Sequence, residues 1–353
     1  MIDLLKIRYP IIQAPMAGVS TPALAASVSN AGGLGSLGIG ASSVAKARSM
    51  ILETQSLTAL PFNVNVFCHS PSRRDGNAEA AWINHFSVFF EEFGARAPEQ
   101  LNEIYRTFLL NEEALRMLLE LRPTFVSFHF GVPVAEMIAA FRNAGIKTLA
   151  TATNLKDALT IEAAGVDGII AQGIEAGGHR GVFDPQALDE KLGTLPLLRQ
   201  LVRGTTVPVI AAGGIMDGSG IKEALDIGAV AAQLGTAFIL CPETSADAGY
   251  RANLKSAKSH ITRLTSVVSG RPARGIVNRF MEHGEAAKAP PPADYPVAYD
   301  LAKQLHEAAK GAADSEFAAH WAGQKASLSR ELPAAHLVQV LVEELAAANA
   351  AKA

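Results

Sequence analysis

The sequence predicts a (β/α)₈ barrel, or TIM barrel, with an added smaller and mainly helical domain. Three observations lead to this α/β class: the length of 353 residues, an alternation of short apolar runs with helical segments, and a total of eight such runs. A barrel of about 250 residues and an added domain of about 100 account for the length. Hydrophobic residues make up 49% of the chain and charged residues 18%, a composition that supports a large core and excludes global disorder.

The apolar runs are too short for helices and are apolar throughout, which is typical of strands covered on both faces. Their alternation with helices predicts parallel pairing through βαβ units. Eight is the number of strands that closes a barrel, so we favour a barrel. The periodicity alone does not exclude the alternative, an open doubly wound sheet. The runs are residues 11–14, 34–39, 62–67, 125–128, 148–150, 168–171, 207–212 and 230–234.

The helical segments carry their own signals. In residues 184–202, leucines at 188, 192, 195, 198 and 201 recur with helical spacing and predict one apolar stripe. Asp217 and Gly228 are the expected N-cap and C-terminal glycine of the helix after the seventh run.

The alternation is interrupted at residues 70–110, where two helical stretches separate the third and fourth runs, and strand signals end after Cys241. We therefore expect a barrel over residues 1–258, with a helical insertion near 70–110. Residues 259–353 are expected to form a helical domain that covers the barrel mouth.

Composition limits the partners and the compartment. The formal net charge of −3 offers no basic excess for nucleic acid. The only two cysteines, Cys68 and Cys241, exclude a disulfide framework and suit a reducing cytoplasm. Residues 1–10 lack the apolar centre of a signal peptide, and no apolar run reaches the roughly 20 residues of a membrane helix. We expect a cytoplasmic protein with no membrane partner, either a monomer or a homodimer.

Glycine-rich turns follow the seventh and eighth runs. The seventh leads into Gly213 and Gly214, and the eighth into residues 233–236, which read QLGT. Phosphate commonly binds in these two loops of a barrel, because glycine lets backbone N–H groups approach an anion and a following helix start adds partial positive charge. Tight strand-to-helix turns alone would also need glycine, but the paired position favours a phosphate site.

The phosphate could belong to a sugar phosphate, a nucleotide or a flavin. The first run ends in Ala14, Pro15 and Met16, an uncharged turn that suits a flat aromatic ring. Asn65 and Gln172 offer amide groups that can bind the carbonyl and N–H edge of such a ring. These amides could equally satisfy neighbouring strand ends, so residue chemistry leaves the three alternatives open.

The loop after the sixth run, residues 173–181, reads GIEAGGHRG. Its four glycines make it costly to order without a purpose. The loop presents His179 beside Arg180, a cation expected to lower the pKa of the imidazole. His179 is therefore the candidate that holds an anionic substrate or takes a proton from carbon.

Three other residues are weaker candidates. His129 ends the fourth run and is placed to face the same site. Tyr299 and Lys303 lie four residues apart and share a face of a helix, which would supply a phenol and an ammonium group if the tail covers the barrel; a solvated helix face is the alternative. No metal site is predicted, because no cluster of histidine, cysteine and carboxylate groups has ligand spacing.

Several stretches resemble the class I nitronate monooxygenases, formerly called 2-nitropropane dioxygenases. The matching stretches are PIIQAPMAGVSTPALAASVSNAGGLGS at residues 10–36, FVSFHFGVP at 125–133, AQGIEAGGHRGVF at 171–183, residues 208–215 and 233–238, YPVAYDL at 295–301 and FAAHWAGQ at 317–324. The resemblance spans nearly the whole chain, except that residues 70–110 find no match. It implies a TIM barrel with a smaller helical domain and noncovalently bound FMN.

The resemblance also implies roles for individual residues. His179 is the expected active-site histidine, and Tyr299 and Lys303 are expected to contact the substrate. His129 is expected to contact it as well, from its position at the end of the fourth run. The expected FMN-binding residues come from six segments of the chain. The resemblance points to Asn65, Gln172, Gly177, Gly214, Gln233, Leu234, Gly235 and Thr236. The strand ends and glycine loops described above add Ala14, Pro15, Met16, Gly178 and Gly213.

The implied reaction is the oxidation of an alkyl nitronate, usually propionate 3-nitronate, with O₂ to a carbonyl compound and nitrite, through one-electron transfer to the flavin. Whether His179 is a base or an anion clamp stays open. The main alternative is an NAD(P)H-dependent reductase of quinones or enoyl thioesters on the same scaffold. A sugar-phosphate lyase or isomerase and a non-enzymatic flavin carrier are the other two.

Overall fold

Eight parallel strands form a barrel in the computed structural model, which describes residues 4–351. The barrel strands follow the order β1-β9-β8-β6-β5-β4-β3-β2, and a parallel bridge between Ile12 and Leu34 joins the two ends of the sheet. The strands, in chain order, are β1 Ile11–Gln13, β2 Gly35–Gly38, β3 Phe62–Phe67, β4 Phe125–His129, β5 Lys147–Ala152, β6 Gly168–Gln172, β7 Gly178–His179, β8 Val209–Ala212, β9 Ala231–Leu234, β10 Thr262–Thr265 and β11 Ala273–Ile276. Each of the eight apolar runs is a barrel strand, so the predicted fold class is confirmed.

Helices surround the barrel and build a second layer at its mouth. In chain order they are α1 Pro22–Asn30, α2 Val44–Leu57, α3 Gly76–Glu92, α4 Glu112–Leu121, α5 Ala135–Asn143, α6 Leu155–Ala163, α7 Thr194–Gly204, α8 Gly218–Ile227, α9 Ala248–Leu254, α10 Arg279–Gly284, α11 Val297–Lys310 and α12 Ala334–Ala350. The predicted caps of α8 are confirmed: the Asp217 carboxylate accepts from the N–H of Gly220, and Gly228 ends the helix with φ 115°. None of the helices described for residues 4–351 combines the length and the apolarity needed to cross a bilayer.

The predicted helix over residues 184–202 is wrong in its first half. Helix α7 begins at Thr194, where the Glu175 carboxylate accepts from the backbone N–H and the hydroxyl group. A carboxylate at this position stabilises the first turn, so the helix starts there and not earlier. Leu188 consequently lies in the preceding loop and is 94% exposed, whereas Leu198 and Leu201 are buried as predicted.

A second hydrophobic core lies outside the barrel, in the layer formed by α3, β10, β11, α10 and α11, which we call the cover. Trp82 and Phe86 of α3 pack with Phe280, Leu301 and Phe317, and the rings of Phe86 and Phe280 stack with centroids 4.2 Å apart. The insertion between β3 and β4 therefore shares one core with segments that follow the barrel. The strands β10, β11 and β7 form an antiparallel sheet that joins the cover to the loop after β6.

Helix α12 departs from the predicted domain division. We expected residues 259–353 to form one domain over the barrel mouth, but α12 packs against α1 and α8. Its Leu337, Val338 and Leu341 belong to the core that the barrel shares with its helices. The apolar side of α12 is covered there and not in the cover, which corrects the prediction for this segment. The division of the remaining chain at residue 258 stays a prediction.

The contact between α1 and β2 can be tested with Gly35. A Cβ atom at Gly35 would lie 1.9 Å from the backbone oxygen of Ala25, so we expect Gly35→Ala to lower the free energy of unfolding by about 3 kcal/mol because backbone must move. Urea unfolding would measure the change. Gly76→Ala is the control, since no atom lies within 4 Å of its Cβ position; equal unfolding midpoints for the two variants would contradict the packing argument.

Candidate active site

A cavity of about 510 Å³ lies at the carboxyl ends of the barrel strands, between the barrel, the cover and residues 318–325. With one exception, the structure brings all of the predicted site residues to its wall. These are Ala14, Pro15, Met16, Asn65, His129, Gln172, Gly177, Gly178, His179, Gly213, Gly214, Gln233, Gly235, Thr236, Tyr299 and Lys303. The exception is Leu234, which is 1% exposed in the barrel core. Its carbonyl accepts from the N–H of Ala14 at 2.8 Å, so Leu234 holds β9 against β1.

One end of the cavity is built for an anion. Gly213 and Gly214 have φ of 118° and 65°, the left-handed region that favours glycine. Among residues 4–351, the backbone N–H groups of Gly177, Gly214 and Gly235 have no acceptor. A short 3₁₀ helix starts at Thr236. Free N–H groups beside a helix start are the usual surroundings of a phosphate.

Residues 321–325 cover the anion end. The N–H of Gly323 donates to Thr236 Oγ1 at 3.0 Å, and the N–H of Gln324 donates to the carbonyl of Glu175 at 3.0 Å. A Cβ atom on Gly177 would lie 2.5 Å from the nitrogen of Gly323, so the two segments touch without room for a side chain. Lys325 also lines the cavity.

Two amide side chains offer hydrogen-bond acceptors to a ligand. Asn65 donates from Nδ2 to the hydroxyl and carbonyl of Ser127 at 2.9 and 3.1 Å, and its Oδ1 has no partner among the described residues. Gln233 Oε1 is buried and also lacks a partner in this part of the chain. A buried polar atom without a partner is costly, and the N–H or hydroxyl groups of a flavin would satisfy it. The residues present therefore fit a flavin.

The Gln172 side chain forms hydrogen bonds with the backbone of the loop that carries His179. Its Nε2 donates to the carbonyl of His179 at 2.9 Å, and its Oε1 accepts from the N–H of Gly181 at 2.8 Å. The His179 carbonyl also lies 3.1 Å from His129 Nε2, while His129 Nδ1 lies 3.1 Å from Thr151 Oγ1. Both nitrogens of His129 are thus engaged. Although His129 lines the cavity, this geometry assigns it to the positioning of His179.

The His179 ring is fixed by one hydrogen bond and a shell of aromatic rings. Its Nε2 lies 2.9 Å from Ser269 Oγ. The ring centroids of Trp321, Tyr295 and Phe130 lie 5.2, 5.5 and 5.6 Å from that of His179. The Ser269 hydroxyl donates to the carbonyl of Arg271 at 3.1 Å, so its oxygen accepts from Nε2–H of His179. Nδ1 is then the nitrogen with a free lone pair, and it has no partner within residues 4–351.

His179 is neutral at physiological pH. Burial, followed by the charges of His129, Arg271 and His69, lowers the pKa of His179 to about 3. We expected Arg180 to be the cation beside it, and that prediction is wrong. Arg180 points away, to Asp189 at 2.9 Å and to the carbonyl of Gln172 at 2.8 Å. The arginine that acts on His179 comes from the cover.

Tyr299 and Lys303 face the cavity from α11, one helical turn apart, as expected. Tyr299 Oη accepts from Trp321 Nε1 at 3.2 Å, and burial raises the pKa of Tyr299 to about 12. Lys303 Nζ lies 5.2 Å from the ring centroid of Tyr105 and 5.5 Å from that of Tyr299. Burial lowers the pKa of Lys303, and no carboxylate of the described residues pairs with it.

Sequence reasoning missed five aromatic residues of the cavity wall: Phe67, Tyr105, Tyr250, Tyr295 and Trp321. Tyr295 stands four residues before Tyr299, the same spacing that identified Tyr299 and Lys303, so this signal was available. Tyr105 comes from the insertion, and its loop is held on α11 by the Asp300 carboxylate, which accepts from the N–H of Asn102 at 2.7 Å. No periodicity or glycine pattern marks Tyr105 in the sequence.

Comparisons with known proteins agree on one family. A family model described as nitronate monooxygenase matches residues 1–344. The nitronate monooxygenase of Paraburkholderia phytofirmans is 55% identical over 98% of this chain and 94% of its own length. That of Pseudomonas aeruginosa is 54% identical over 97% of both chains.

Two solved structures are similar over nearly their whole length. Nitroalkane oxidase from Streptomyces ansochromogenes superposes with a TM-score of 0.92 at 41% identity, over 100% of this chain and 99% of its own. FabK from Thermotoga maritima gives a TM-score of 0.76 at 28% identity, over 99% of this chain and 97% of its own.

The contact between Gly177 and Gly323 can be tested through the flavin. We expect Gly177→Ala to raise the dissociation constant of the flavin by about tenfold or more, because the added Cβ displaces the segment over the anion end. Flavin absorbance after equilibrium dialysis would measure it. Gly311→Ala, at the end of α11 with its nearest atom 3.8 Å away, is the control, and full flavin retention in Gly177→Ala would refute the role of this contact.

Proposed function

Because the chain belongs to the nitronate monooxygenase family, we propose that it uses FMN and O₂ to oxidise small alkyl nitronates, with propionate 3-nitronate as the first candidate. The products are a carbonyl compound and nitrite. The observation that carries the proposal is a neutral imidazole, His179, in the same cavity as the ammonium group of Lys303 and the phenol of Tyr299. A nitronate is a small anion that a cation and hydrogen-bond donors can bind.

FMN is favoured over a dinucleotide by the number of anion sites. The glycines after β6, β8 and β9 line one cavity and provide for a single phosphate group. The stretch that has the skeleton of a dinucleotide fingerprint, Gly33 to Gly38, has another use: Gly35 lets β2 pack directly against the backbone of Ala25. These glycines do not open a helix at a ligand.

The chain's own residues bind and orient the substrate. Lys303 supplies a positive charge, and Tyr299 a phenol that stays protonated because burial raises its pKa. The rings of Phe130, Tyr295 and Trp321 exclude water from the other side of His179. When bound, the flavin supplies a ring that accepts electrons one at a time and so permits one-electron oxidation of the nitronate.

The state of His179 favours a base over an anion clamp. A neutral imidazole has no charge to offer an anion, whereas its free Nδ1 can accept the α-proton of a nitroalkane. A nitronate supplied already deprotonated does not need this step. We therefore infer that His179 acts as a base for nitroalkanes and is a neutral neighbour of bound nitronates.

The test of the proposed function is aerobic incubation of the holoenzyme with propionate 3-nitronate, following nitrite and O₂ while the flavin spectrum is recorded. We expect nitrite release and O₂ consumption without NAD(P)H. Rapid anaerobic bleaching of the flavin by NADH, with no nitronate oxidation, would establish the reductase alternative. Flavin binding with no turnover of any nitronate would identify a carrier.

Replacing His179 by asparagine separates the two substrate forms. We expect the variant to keep its flavin and its turnover of nitroalkanes to fall by about 10²-fold or more, while pre-formed nitronates suffer less. Steady-state rates on both forms would measure the difference. The control is His336→Asn, on the exposed side of α12, and an equal loss on both substrate forms would mean that His179 orients the anion.

The pH dependence of nitroalkane turnover is expected to follow the protonation of His179. A base works only when unprotonated, so activity is lost as the pH falls through its pKa. Because burial and neighbouring charges lower the pKa of His179 to about 3, we expect the acidic limb for nitroalkane turnover to lie well below pH 6. Profiles of kcat/KM in wild-type enzyme would show it, and a limb centred near the ordinary histidine pKa of about 6.5 would contradict this environment.

A further inference from the structure

Arg271 is a buried guanidinium group without a counter-ion. Its residue is 3% exposed, and its Nη2 donates to the carbonyls of Val182 and Phe183. Its Nε is buried without a partner, and no carboxylate within residues 4–351 forms an ion pair with it. Two other arginines beside this loop are buried. Arg180 pairs with both carboxylate oxygens of Asp189 at 2.9 and 3.0 Å, and Arg274 donates to the carbonyl of Ile174 at 3.1 Å and lies in the field of Glu175.

An unpaired buried charge destabilises a fold, and carbonyl oxygens only partly compensate a full positive charge. Burial lowers the pKa of Arg271 to about 10, so the group still carries its proton at neutral pH. The carboxylates of Asp294 and Asp184 act on this positive charge through space, but neither forms an ion pair with it among the described residues. Such a charge remains available to an anion that binds nearby.

One layer of aromatic rings separates the Arg271 guanidinium group from His179. The guanidinium carbon is 4.4 Å from the ring centroid of Phe130 and 6.0 Å from that of Tyr295. Both rings pack against His179, with centroids 5.6 and 5.5 Å away. Since this layer excludes water, the field of Arg271 crosses it with little screening.

The other titratable groups around His179 do not carry this charge. His69, His129 and His179 all have a lowered pKa, for which burial is the largest cause and the charge of Arg271 a further one. Tyr295 and Tyr299 have a raised pKa because they are buried. These groups are neutral near pH 7. Two lysines line the cavity: Lys303, whose pKa is lowered by burial, and Lys325 at the anion end.

We propose that Arg271 makes the cavity prefer an anionic nitronate to the neutral nitroalkane that differs from it by one proton. Arg271 does not touch the substrate and acts as a positioning residue, through the Phe130–Tyr295 layer and His179. A fixed cation stabilises only the charged form of the substrate, and it keeps His179 from acquiring a proton of its own. The inference rests on the proposed function and specifies how its site selects the substrate form.

The experiment compares Arg271→Gln with Arg271→Lys in the holoenzyme. Glutamine keeps an N–H donor for the carbonyls of Val182 and Phe183 but loses the charge, whereas lysine keeps the charge but loses the planar fork. Inorganic nitrite is the anionic probe, titrated against the flavin absorbance. We expect Arg271→Gln to raise the dissociation constant of nitrite about tenfold, and Arg271→Lys to raise it less than about threefold.

Kinetics provide the second readout. In Arg271→Gln we expect kcat/KM to fall about tenfold for the nitronate and less than about threefold for the nitroalkane. The acidic limb of the nitroalkane profile should move to higher pH, because removing a nearby cation raises the pKa of His179. The matched control is Arg279→Gln: this guanidinium also lies over rings, at 5.1 Å from Phe89 and from Phe317, but it pairs with Glu92 and should leave all three measurements unchanged.

Three results would overturn the proposal. Equal losses in Arg271→Gln and Arg271→Lys would show that the hydrogen bonds to the loop, and not the charge, matter. Equal losses for nitronate and nitroalkane would remove the preference between substrate forms. In wild-type enzyme, nitrite affinity should stay constant from about pH 6 to 8 because Arg271 does not titrate there; a tenfold weakening would assign anion binding to a protonated histidine or to Lys303.

The wild-type titration can still overturn the proposal if Arg271→Gln does not fold. Failure of the proposed function is a separate result, namely no nitrite formed from any nitronate by the wild-type enzyme. Nitrite titration would still show whether Arg271 supplies the anion-binding charge in that case.

Discussion

His179 reaches the cavity because the short strand β7, in the loop after β6, pairs with β11 of the cover. Ala273 lies opposite His179 in this antiparallel ladder, and the N–H of Arg180 donates to the carbonyl of Pro272. The pairing brings Ser269 to the histidine ring and Arg271 to the rings of Phe130 and Tyr295 that pack against it. A loop with so many glycines would otherwise sample many conformations. Its attachment to a strand of the cover fixes the active-site histidine more firmly than the loop itself does.

The cover also controls the electrostatics of the cavity. The rings of Tyr295, Trp321 and Phe130, the last directly after β4, pack against His179. Arg271, between β10 and β11, adds a fixed charge next to Phe130 and Tyr295. The barrel supplies the groups that can bind a cofactor. These are the backbone N–H groups of Gly214 and Gly235, and the amide oxygens of Asn65 and Gln233, none of which has a partner among the described residues. Under the proposed function, the strand ends of the barrel bind the cofactor, and Arg271 of the cover sets the preference for the charged form of the substrate.

Local signals in the sequence predicted the barrel and most of the proposed site residues, which line one cavity in the structure. Strands such as Val209–Ala212 are apolar on both faces, and Gly213 and Gly214 after β8 have positive φ. Each of these features leaves a mark in the sequence that needs no knowledge of distant residues. The errors concern long-range partners. Arg180 stands next to His179 but turns to Asp189, Leu188 loses its helix to the carboxylate of Glu175, and Arg271 and Tyr105 come from segments far away along the chain. Sequence proximity does not determine where a long side chain finds its partner.

Helix α12, the last helix of the chain, lies in the ring of helices around the barrel and not in the cover that precedes it in the sequence. The helix lies between α1 and α8, so the helical ring around the barrel is completed only after the chain has passed through most of the cover. Topologically, the segment from β10 to α11 is thus an insertion before the last barrel helix, just as α3 is an insertion after β3. A shortened protein that stops after the ninth strand would expose the sides of α1 and α8 that α12 now covers. The smallest independently folding barrel would instead have to join β9 directly to α12, with both insertions removed together because they share one core.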